Sequence, residues 1–325
     1  MGLVDEARES VDGARRQLAV AAPVLAELAR RLRATPPTFV LTCARGSSDH
    51  AATYGKYLIE THVGCPVASG APSVASIYKR SLRLDGSLVI AVSQSGQTPD
   101  VLELVTAARA AGALVVGLVN VETSPLARAC DLVLPLCAGD ERAIAATKSF
   151  LLAGLGFLQL TAAWSGAREI AEAAERVPEM FEAACATRVD LAPLAAATSA
   201  YVIARGIGFG AALELALKLK ETCRLHAEAF STAEVHHGPI ALVTRGFPVV
   251  VLRQDDETST TTRATCERLA SHGAALLDVP VPMGPAVVQP LASVLSCYLA
   301  LPALAAARGL DADAPPHLRK ITETW

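Results

Sequence analysis

A short polar loop carries the clearest chemical signal in this sequence. Ser93-Gln94-Ser95-Gly96-Gln97-Thr98 directly follows the apolar run at 88–92, and a helix is predicted to begin at Pro99. Hydroxyl groups, backbone N–H groups and the positive end of a helix dipole can together bind a phosphate without a lysine. An ordinary Ser/Gln/Gly turn has the same composition, so the loop by itself leaves both interpretations open.

A second cluster has the composition of an acid–base site. Glu214, Lys218 and Glu221 are spaced at i, i+4 and i+7, which places them on one face of a helix. Such a stripe is usually solvated, but the leucines and alanines around it leave little room for a purely solvent-facing helix. A partly buried carboxylate beside a lysine is typical of catalytic proton transfer.

A histidine pair lies further along the chain. His237 precedes Gly238-Pro239, which predicts a loop, and the apolar residues 240–243 after it predict a strand. His236 lacks the adjacent turn glycine and is the weaker candidate, and a lone histidine is usually structural. His226, Glu228 and the histidine pair lack the spacing of a known zinc motif, so we expect no metal.

An internal repeat organises the chain. Arg45-Gly46 and Arg205-Gly206 each follow an apolar run at an offset of 160 residues, and the runs at 89–92 and 249–252 match at the same offset. Short buried apolar runs alternate with helical patterns, which predicts parallel sheets covered on both faces. We therefore predict an α/β fold with two tandem doubly wound, flavodoxin-like subdomains, each built of three αβα layers.

The predicted boundaries follow from this repeat. They are an N-terminal helical segment at 1–33, the first subdomain at 34–168, a linking helix at 169–196, the second subdomain at 197–310 and a C-terminal tail at 311–325. In the second subdomain the phosphate loop is replaced by residues 253–258, which include Asp255, Asp256 and Glu257. Three carboxylates would repel a phosphate, so we expect one phosphate site, in the first subdomain.

The composition excludes several classes of protein. Of 325 residues, 52% are hydrophobic and 19% charged, which excludes a largely disordered chain, and a net charge of −3 gives no electrostatic footprint for nucleic acid. Eight cysteines without a C-x-x-C pair indicate small buried residues in a reducing cytoplasm. Residues 1–34 do not have the pattern of a signal peptide, and the apolar windows 150–164 and 291–304 predict buried helices rather than membrane spans.

Taken in order, the motifs resemble those of the SIS (sugar isomerase) domain family, in particular the isomerase half of glucosamine-6-phosphate synthase and its stand-alone relatives. The resemblance covers nearly the whole chain. The matching motifs are R-G-S-S (45–48), S-Q-S-G-Q-T (93–98), A-T-K-S-F (146–150), E-L-A-L-K-L-K-E (214–221), H-A-E-A-F (226–230), E-V-H-H-G-P-I-A-L (234–242) and D-A-D-A-P-P-H-L-R-K (311–320).

This resemblance implies a role for each matching polar residue. The phosphorylated sugar would be bound by Ser93, Gln94, Ser95, Gly96 and Thr98, together with Gly46, Ser47 and Ser48. Glu221 would move a proton between C1 and C2, with Lys218 orienting it or handling hydroxyl protons. His237, from the neighbouring subunit of a homodimer, would open the sugar ring, and Lys320 would form a Schiff base with a keto sugar. The resemblance implies no cofactor, nucleic acid or membrane.

Two departures from the synthase bear on the reaction. The sequence offers no N-terminal cysteine nucleophile to release ammonia from glutamine, and Ala146 stands where the synthase has a serine that touches the sugar. We therefore expect an aminosugar-phosphate deaminase that converts glucosamine 6-phosphate and water to fructose 6-phosphate and ammonia. The same site would suit an aminotransferase partner without its glutaminase, a pure aldose–ketose isomerase or a fructosamine-phosphate deglycase. A non-catalytic phosphosugar sensor is the alternative from another class.

Overall fold

The structure is a computed structural model, and it describes residues 2–320. The elements of its first half are α1 (Leu3–Arg8), α2 (Ser10–Val20), α3 (Ala22–Ala34), β1 (Val40–Cys43), α4 (Ser47–His62), β2 (Val67–Ser69), α5 (Pro72–Ser76), β3 (Leu88–Ser93), α6 (Pro99–Ala110), β4 (Leu114–Val119), α7 (Pro125–Ala129), β5 (Leu132–Pro135), α8 (Lys148–Ser165) and α9 (Arg168–Glu175). Those of its second half are α10 (Val177–Ala186), β6 (Ser199–Ala204), α11 (Phe209–Cys223), β7 (His226–Ser231), β8 (Pro248–Val251), α12 (Ser259–Ser271), β9 (Ala275–Asp278) and α13 (Gln289–Ala307).

The chain divides into two compact units, each built around one sheet. Within the described residues, the β1–β5 unit comprises 9–141, 148–175 and 319–320, and the β6–β9 unit comprises 2–8, 142–147 and 176–318. Each unit therefore combines segments that are distant in sequence. The tail, for example, contributes residues 311–318 to one unit and Lys320 to the other.

The sheet of the β1–β5 unit is parallel, with the strand order β2-β1-β3-β4-β5. Strand β3 is buried along its whole length, because helices cover both faces of the sheet, as its continuous apolar sequence predicts. On one face Val89 and Ala91 join a core with residues of α6 and α7. On the other face α4 packs against β1, β3 and α8. The result is the three-layer arrangement expected from the sequence.

The sheet of the β6–β9 unit is also parallel, with the strand order β7-β6-β8-β9. Tyr201 lies against Phe230 and Phe247 with ring centroids 4.9 and 4.8 Å apart, and α12 adds Cys266 and Leu269 to the same core. The apolar helices α11 and α13 pack against each other, and α11 also contacts β6 and β7. Two tandem doubly wound subdomains with parallel sheets are therefore confirmed.

Two local predictions were wrong. Residues 240–243 do not form a strand, since Pro239–Leu242 is a 3-10 turn. It follows Gly238, whose φ of 130° turns the chain immediately before the proline. The single linking helix expected at 169–196 is divided into α9 and α10. Pro178, near the start of α10, lacks an N–H group and its ring would clash with the carbonyl of Ala174 in a continuous helix.

The two most apolar windows of the sequence form α8 and α13. Among the described residues, α13 is the one helix long and apolar enough to cross a membrane, and 67% of its most apolar window is buried inside the structure. It packs against α1, α10 and α11. Buried helices in a protein core were the expectation for both windows, and the packing of α13 agrees with it.

Candidate active site

The polar loop at 93–98 adopts a compact turn at the carboxyl end of β3. The Ser93 hydroxyl accepts a hydrogen bond from the backbone N–H of Gly96 at 2.9 Å, and the Ser95 hydroxyl accepts one from the N–H of Gln97 at 3.3 Å. Helix α6 begins at Pro99, as predicted. Thr98 precedes it in an extended conformation and makes no side-chain cap. Its hydroxyl is therefore not committed to capping the helix.

Gly96 is required by the geometry of this loop. Its φ is 63°, a conformation that disfavours other residues. A Cβ atom at this position would lie 2.1 Å from Ser124 Oγ and 2.5 Å from Ser124 Cβ. Ser124 itself is buried, and its hydroxyl accepts the N–H of Ala127 as the N-cap of α7. The loop is thus held by direct packing against the turn that follows β4.

The neighbouring loop, after β1, reaches the same edge of the sheet. Ser47 and Ser48 lie in the first turn of α4, and Gly46 precedes them with a φ of 54°. The guanidinium group of Arg45 donates to the carboxylate of Asp100, in the first turn of α6, at 3.0 Å from Nε. Asp100 is buried, so this ion pair joins the two loops.

Both loops lie at the topological switch point of the sheet. Strands β1 and β3 are neighbours, and the connection after β1 leads to β2 on one side whereas the connection after β3 leads to β4 on the other. Ligands of doubly wound sheets bind in the crevice that this divergence opens at the carboxyl ends of the strands. The structure therefore brings together Gly46, Ser47 and Ser48 with the loop at 93–98, at the place where a ligand is expected.

The equivalent switch point of the β6–β9 unit, between β6 and β8, is filled by a side chain of the protein. Gln254 is buried, and its amide Nε2 donates to the carbonyl of Arg205 at 2.6 Å and lies 3.1 Å from the Thr258 hydroxyl. Its Oε1 would lie 2.5 Å from a Cβ atom at position 208, where the chain has glycine. Gln254 thus occupies the space that a ligand uses in doubly wound sheets.

The acid–base residues of the sequence form a buried network on α11. Glu214 and Lys218 are both 0% exposed, and the side chain of Glu221 is 19% exposed. Lys218 Nζ lies 2.5 Å from Glu221 Oε2 and 3.4 Å from Glu214 Oε1. The prediction that the three residues share one face is confirmed, and the solvated stripe is excluded because two of them have no exposure.

Glu221 borders an open pocket of about 500 Å³ on the β6–β9 unit. Lys220 and Arg224 also line it, together with His226 and residues 316–318 of the tail. Burial lowers the pKa of Lys220, whose ammonium group donates to the carbonyl of Ala227. The least buried carboxylate of the network is therefore the one that faces an accessible space.

The two histidines have different surroundings. His236 Nε2 lies 3.1 Å from the Thr265 hydroxyl. Burial, and to a smaller degree Arg268 and His237, lower the pKa of His236. His237 is exposed, on the turn between Glu234–His236 and Pro239–Leu242. His237 is thus accessible from outside the chain, whereas His236 is tied to α12.

Lys320 contacts an acidic residue that the sequence analysis did not single out. Its ammonium group lies 3.1 Å from Glu141 Oε2. Glu141 is buried, and it accepts hydrogen bonds from the backbone N–H and the hydroxyl of Ser149, at 3.0 and 2.8 Å. The carboxylate that meets Lys320 is therefore fixed by the start of α8.

A further residue was missed on α13. The hydroxyl of the fully buried Tyr298 donates to Glu214 Oε1 at 2.9 Å. The signal in the sequence was weak: Tyr298 is a phenol inside an apolar window, and a buried hydroxyl needs a hydrogen-bond partner. Nothing in the sequence identifies that partner, which lies 84 positions away.

The predicted site residues thus fall into two groups on different units. The phosphate-binding candidates and Lys320 belong to the β1–β5 unit, whereas Lys218, Glu221 and His237 belong to the β6–β9 unit. Within residues 2–320, no group of three or more His, Cys, Asp or Glu side chains is arranged to hold a metal ion.

Comparison with known proteins identifies relatives over most of the chain. The sequence profile of the SIS domain matches residues 39–163 and 193–279. A glutamine–fructose-6-phosphate aminotransferase (isomerizing) from Symbiobacterium thermophilum is 31% identical over 90% of this chain and 52% of its own length. The chain therefore spans about half the length of the curated relatives that it matches.

Solved structures also match nearly the whole chain. A provisionally assigned phosphosugar isomerase from Silicibacter pomeroyi superposes with a TM-score of 0.90 and 37% identity, over 96% of this chain and all of the other. A glucosamine-6-phosphate deaminase from Thermotoga maritima superposes with a TM-score of 0.75 and 26% identity, over 97% of this chain and all of the other.

Proposed function

This chain belongs to the SIS domain family, and on that premise we propose that it is an aminosugar-phosphate deaminase. The reaction is the conversion of glucosamine 6-phosphate and water to fructose 6-phosphate and ammonia. The observation that carries the proposal is the network on α11, in which the buried Lys218 holds a carboxylate, Glu221, at the edge of a pocket. A phosphosugar-binding module without chemistry has no use for a buried ammonium group paired in this way.

The polar loop of the β1–β5 unit supplies binding energy. Ser93, Gln94, Ser95, Gly96 and Thr98, with Gly46, Ser47 and Ser48, hold the phosphorylated end of the sugar through neutral donors. Interactions with this non-reacting end of the substrate position the reacting carbons. In the β6–β9 unit the side chain of Gln254 fills the equivalent switch point. This supports a single phosphate site in each chain, because the second switch point leaves no room for a ligand.

Proton transfer is the task of the α11 network. His237 opens the pyranose ring, which exposes an aldehyde at C1 and acidifies the hydrogen at C2. Glu221 removes that proton while O1 takes up a proton from the substrate's ammonium group, which gives an enolamine, and Glu221 then returns its proton at C1, leaving a protonated imine at C2. Water hydrolyses the imine to a ketone and releases ammonia. Lys218 orients Glu221 throughout, and general acid–base transfer of this kind contributes roughly 10²–10⁴-fold to the rate.

Lys320 acts on the ketose, in which C2 is the carbonyl carbon. Its amine forms a Schiff base with the acyclic keto sugar and releases water. The contact with Glu141 supports this role, because a fixed carboxylate orients the amine. The exposure of His237 supports a homodimer in which this histidine serves the site of the neighbouring subunit. We place the enzyme in the cytoplasm, because its eight cysteines lack a C-x-x-C pair and fit a reducing compartment.

A turnover screen tests the proposal. The purified protein is incubated with glucosamine 6-phosphate, galactosamine 6-phosphate, fructose 6-phosphate and a phosphorylated fructosamine-amino acid, and ammonia and ketose phosphate are measured separately. We expect equimolar ammonia and fructose 6-phosphate from glucosamine 6-phosphate, and the loss of both in Glu221→Gln. Isomerisation without ammonia, or release of an amino acid, would assign the isomerase or deglycase reaction instead. Binding of a phosphorylated sugar without turnover of any substrate would instead indicate a non-catalytic phosphosugar sensor.

A further inference from the structure

The network on α11 does not end at Glu214. The Tyr298 hydroxyl, on α13, donates to the same carboxylate oxygen, Glu214 Oε1, that lies 3.4 Å from Lys218 Nζ. Tyr298, Glu214 and Lys218 are each completely buried. A continuous chain of polar contacts therefore runs from the core of the β6–β9 unit to Glu221, whose side chain is 19% exposed.

The charges in this chain explain why a second carboxylate is present. Lys218 lies between Glu214 and Glu221, so its ammonium group has a negative partner on either side. When Glu221 takes up a proton from substrate it becomes neutral, and Glu214 then remains as the partner of the buried cation. A buried cation without any partner is strongly unfavourable. Glu214 therefore allows Lys218 to remain an ammonium group both before and after Glu221 takes up the proton from substrate.

Glu214 can do this only if its own position is fixed. A carboxylate free to rotate would approach Lys218 more closely and draw the ammonium group away from Glu221. The phenol of Tyr298 prevents this, because it donates a charge-assisted hydrogen bond to Oε1 from a different helix. Helix α13 is held in turn by its packing against α1, α10 and α11, so the phenol is a rigid donor.

We propose that Tyr298 is a positioning residue of the proton-transfer site: its hydroxyl fixes Glu214, which shares Lys218 with Glu221. The inference rests on the proposed function only in taking Glu221 as the base. It makes Tyr298 part of a four-residue unit whose far end faces the substrate pocket. A tyrosine that served only the core would be replaceable by phenylalanine without a specific effect on the chemical step.

Kinetics of Tyr298→Phe provide the first test, because the variant keeps the ring and removes the hydroxyl alone. We expect kcat to fall roughly tenfold, the scale of one lost hydrogen bond to a charged group, with KM for glucosamine 6-phosphate unchanged within about twofold. Exchange of the C1 hydrogen of fructose 6-phosphate in D₂O, followed by NMR, should slow by the same factor. Tyr54→Phe removes another fully buried phenol hydroxyl, from the β1–β5 unit, and should leave both rates unchanged.

A double-mutant cycle with Glu214→Gln provides the second test. In the Glu214→Gln background, Tyr298→Phe should cause little further loss of kcat or of the exchange rate, because the charged acceptor is already absent. The urea midpoint should show the same coupling: lowered by Tyr298→Phe alone, and nearly unaffected by Tyr298→Phe once Glu214 is glutamine.

Each outcome has a definite meaning. Additive effects of the two substitutions on stability would overturn the inference, whatever the activity. A Tyr298→Phe variant with wild-type kcat, or with a changed KM and an unchanged kcat, would also overturn it. Coupling in the urea midpoint together with neither turnover nor exchange in the wild-type protein would instead reject the proposed function, since that result breaks the link between the network and the reaction.

Discussion

Gly96→Ala is the most direct perturbation of the loop at 93–98, to which we assign the phosphate of the substrate. The new Cβ atom would lie 2.1 Å from Ser124 Oγ, whereas ordinary contacts begin at 3.4 Å, so the loop or Ser124 must move by about 1.3 Å. Ser124 is buried and caps α7, so the displacement falls on the loop and breaks the bond between Gly96 N–H and Ser93.

The size of the effect follows from these contacts. A left-handed conformation costs an alanine roughly 1–2 kcal/mol, and loss of the hydrogen bond between Gly96 N–H and Ser93 costs about 1 kcal/mol. We expect the free energy of unfolding to fall by about 2–3 kcal/mol, the sum of these two costs. A displacement of about 1 Å in a positioned site can lower kcat/KM by up to about 10²-fold, and here the loss should appear mainly in KM.

The assay compares urea unfolding and KM for glucosamine 6-phosphate across matched variants. Gly86→Ala is the control, since Gly86 has a φ of 69° and nothing within 4 Å of its would-be Cβ atom. Gly86→Ala should lower the free energy of unfolding only by the cost of the left-handed conformation, and it should leave KM unchanged. Adding Ser124→Gly to Gly96→Ala removes both clashing atoms and should restore most of the lost affinity. Equal effects of Gly96→Ala and Gly86→Ala on KM would refute the reasoning.

Three further substitutions test the remaining parts of the site. Glu221→Gln should lower kcat by roughly 10²–10⁴-fold with an unchanged urea midpoint, and a near wild-type rate would remove Glu221 from the mechanism. Ser95→Ala should raise KM with little change in kcat, since we assign the loop to the non-reacting end of the substrate, and an unchanged KM would contradict that assignment. Lys218→Met should lower the free energy of unfolding by about 3–5 kcal/mol, because it leaves a buried carboxylate without its cation. Circular dichroism during urea titration measures this loss, and a destabilisation below about 1 kcal/mol, the scale of exposed ion pairs, would show that the pair is not buried in solution.

Much of the fold could be predicted because its information is local. Continuous apolar runs such as 88–92 specify strands buried on both faces, and Gly-rich polar loops after them specify the carboxyl ends of a parallel sheet. The face shared by Glu214, Lys218 and Glu221 follows from helical spacing alone. Local patterns gave the wrong prediction where a proline determines the backbone conformation. At Pro239 an apolar run of four residues did not distinguish a strand from a turn, and at Pro178 helical periodicity did not reveal the break between α9 and α10.

The site was predicted less completely than the fold. The sequence identified the loop at 93–98 and the α11 network, but it could not reveal Tyr298 or Glu141. Each of these side chains meets its partner across a large separation in sequence: 84 positions for Tyr298 and Glu214, and 179 for Glu141 and Lys320. Such contacts depend on how helices pack, and no spacing rule encodes them. The assignments of substrate-binding residues remain predictions for the experiments above.

The side chain of Gln254 has a consequence for the helix that carries the acid–base network. It holds the backbone of Arg205 and packs against Gly208, the residue immediately before α11. In one half of this duplicated architecture, helix α4 begins at the crevice to which we assign the substrate, where a bound molecule would come and go. In the other half, an amide covalently attached to the protein is a permanent occupant, so the start of α11 stays braced regardless of metabolite concentration.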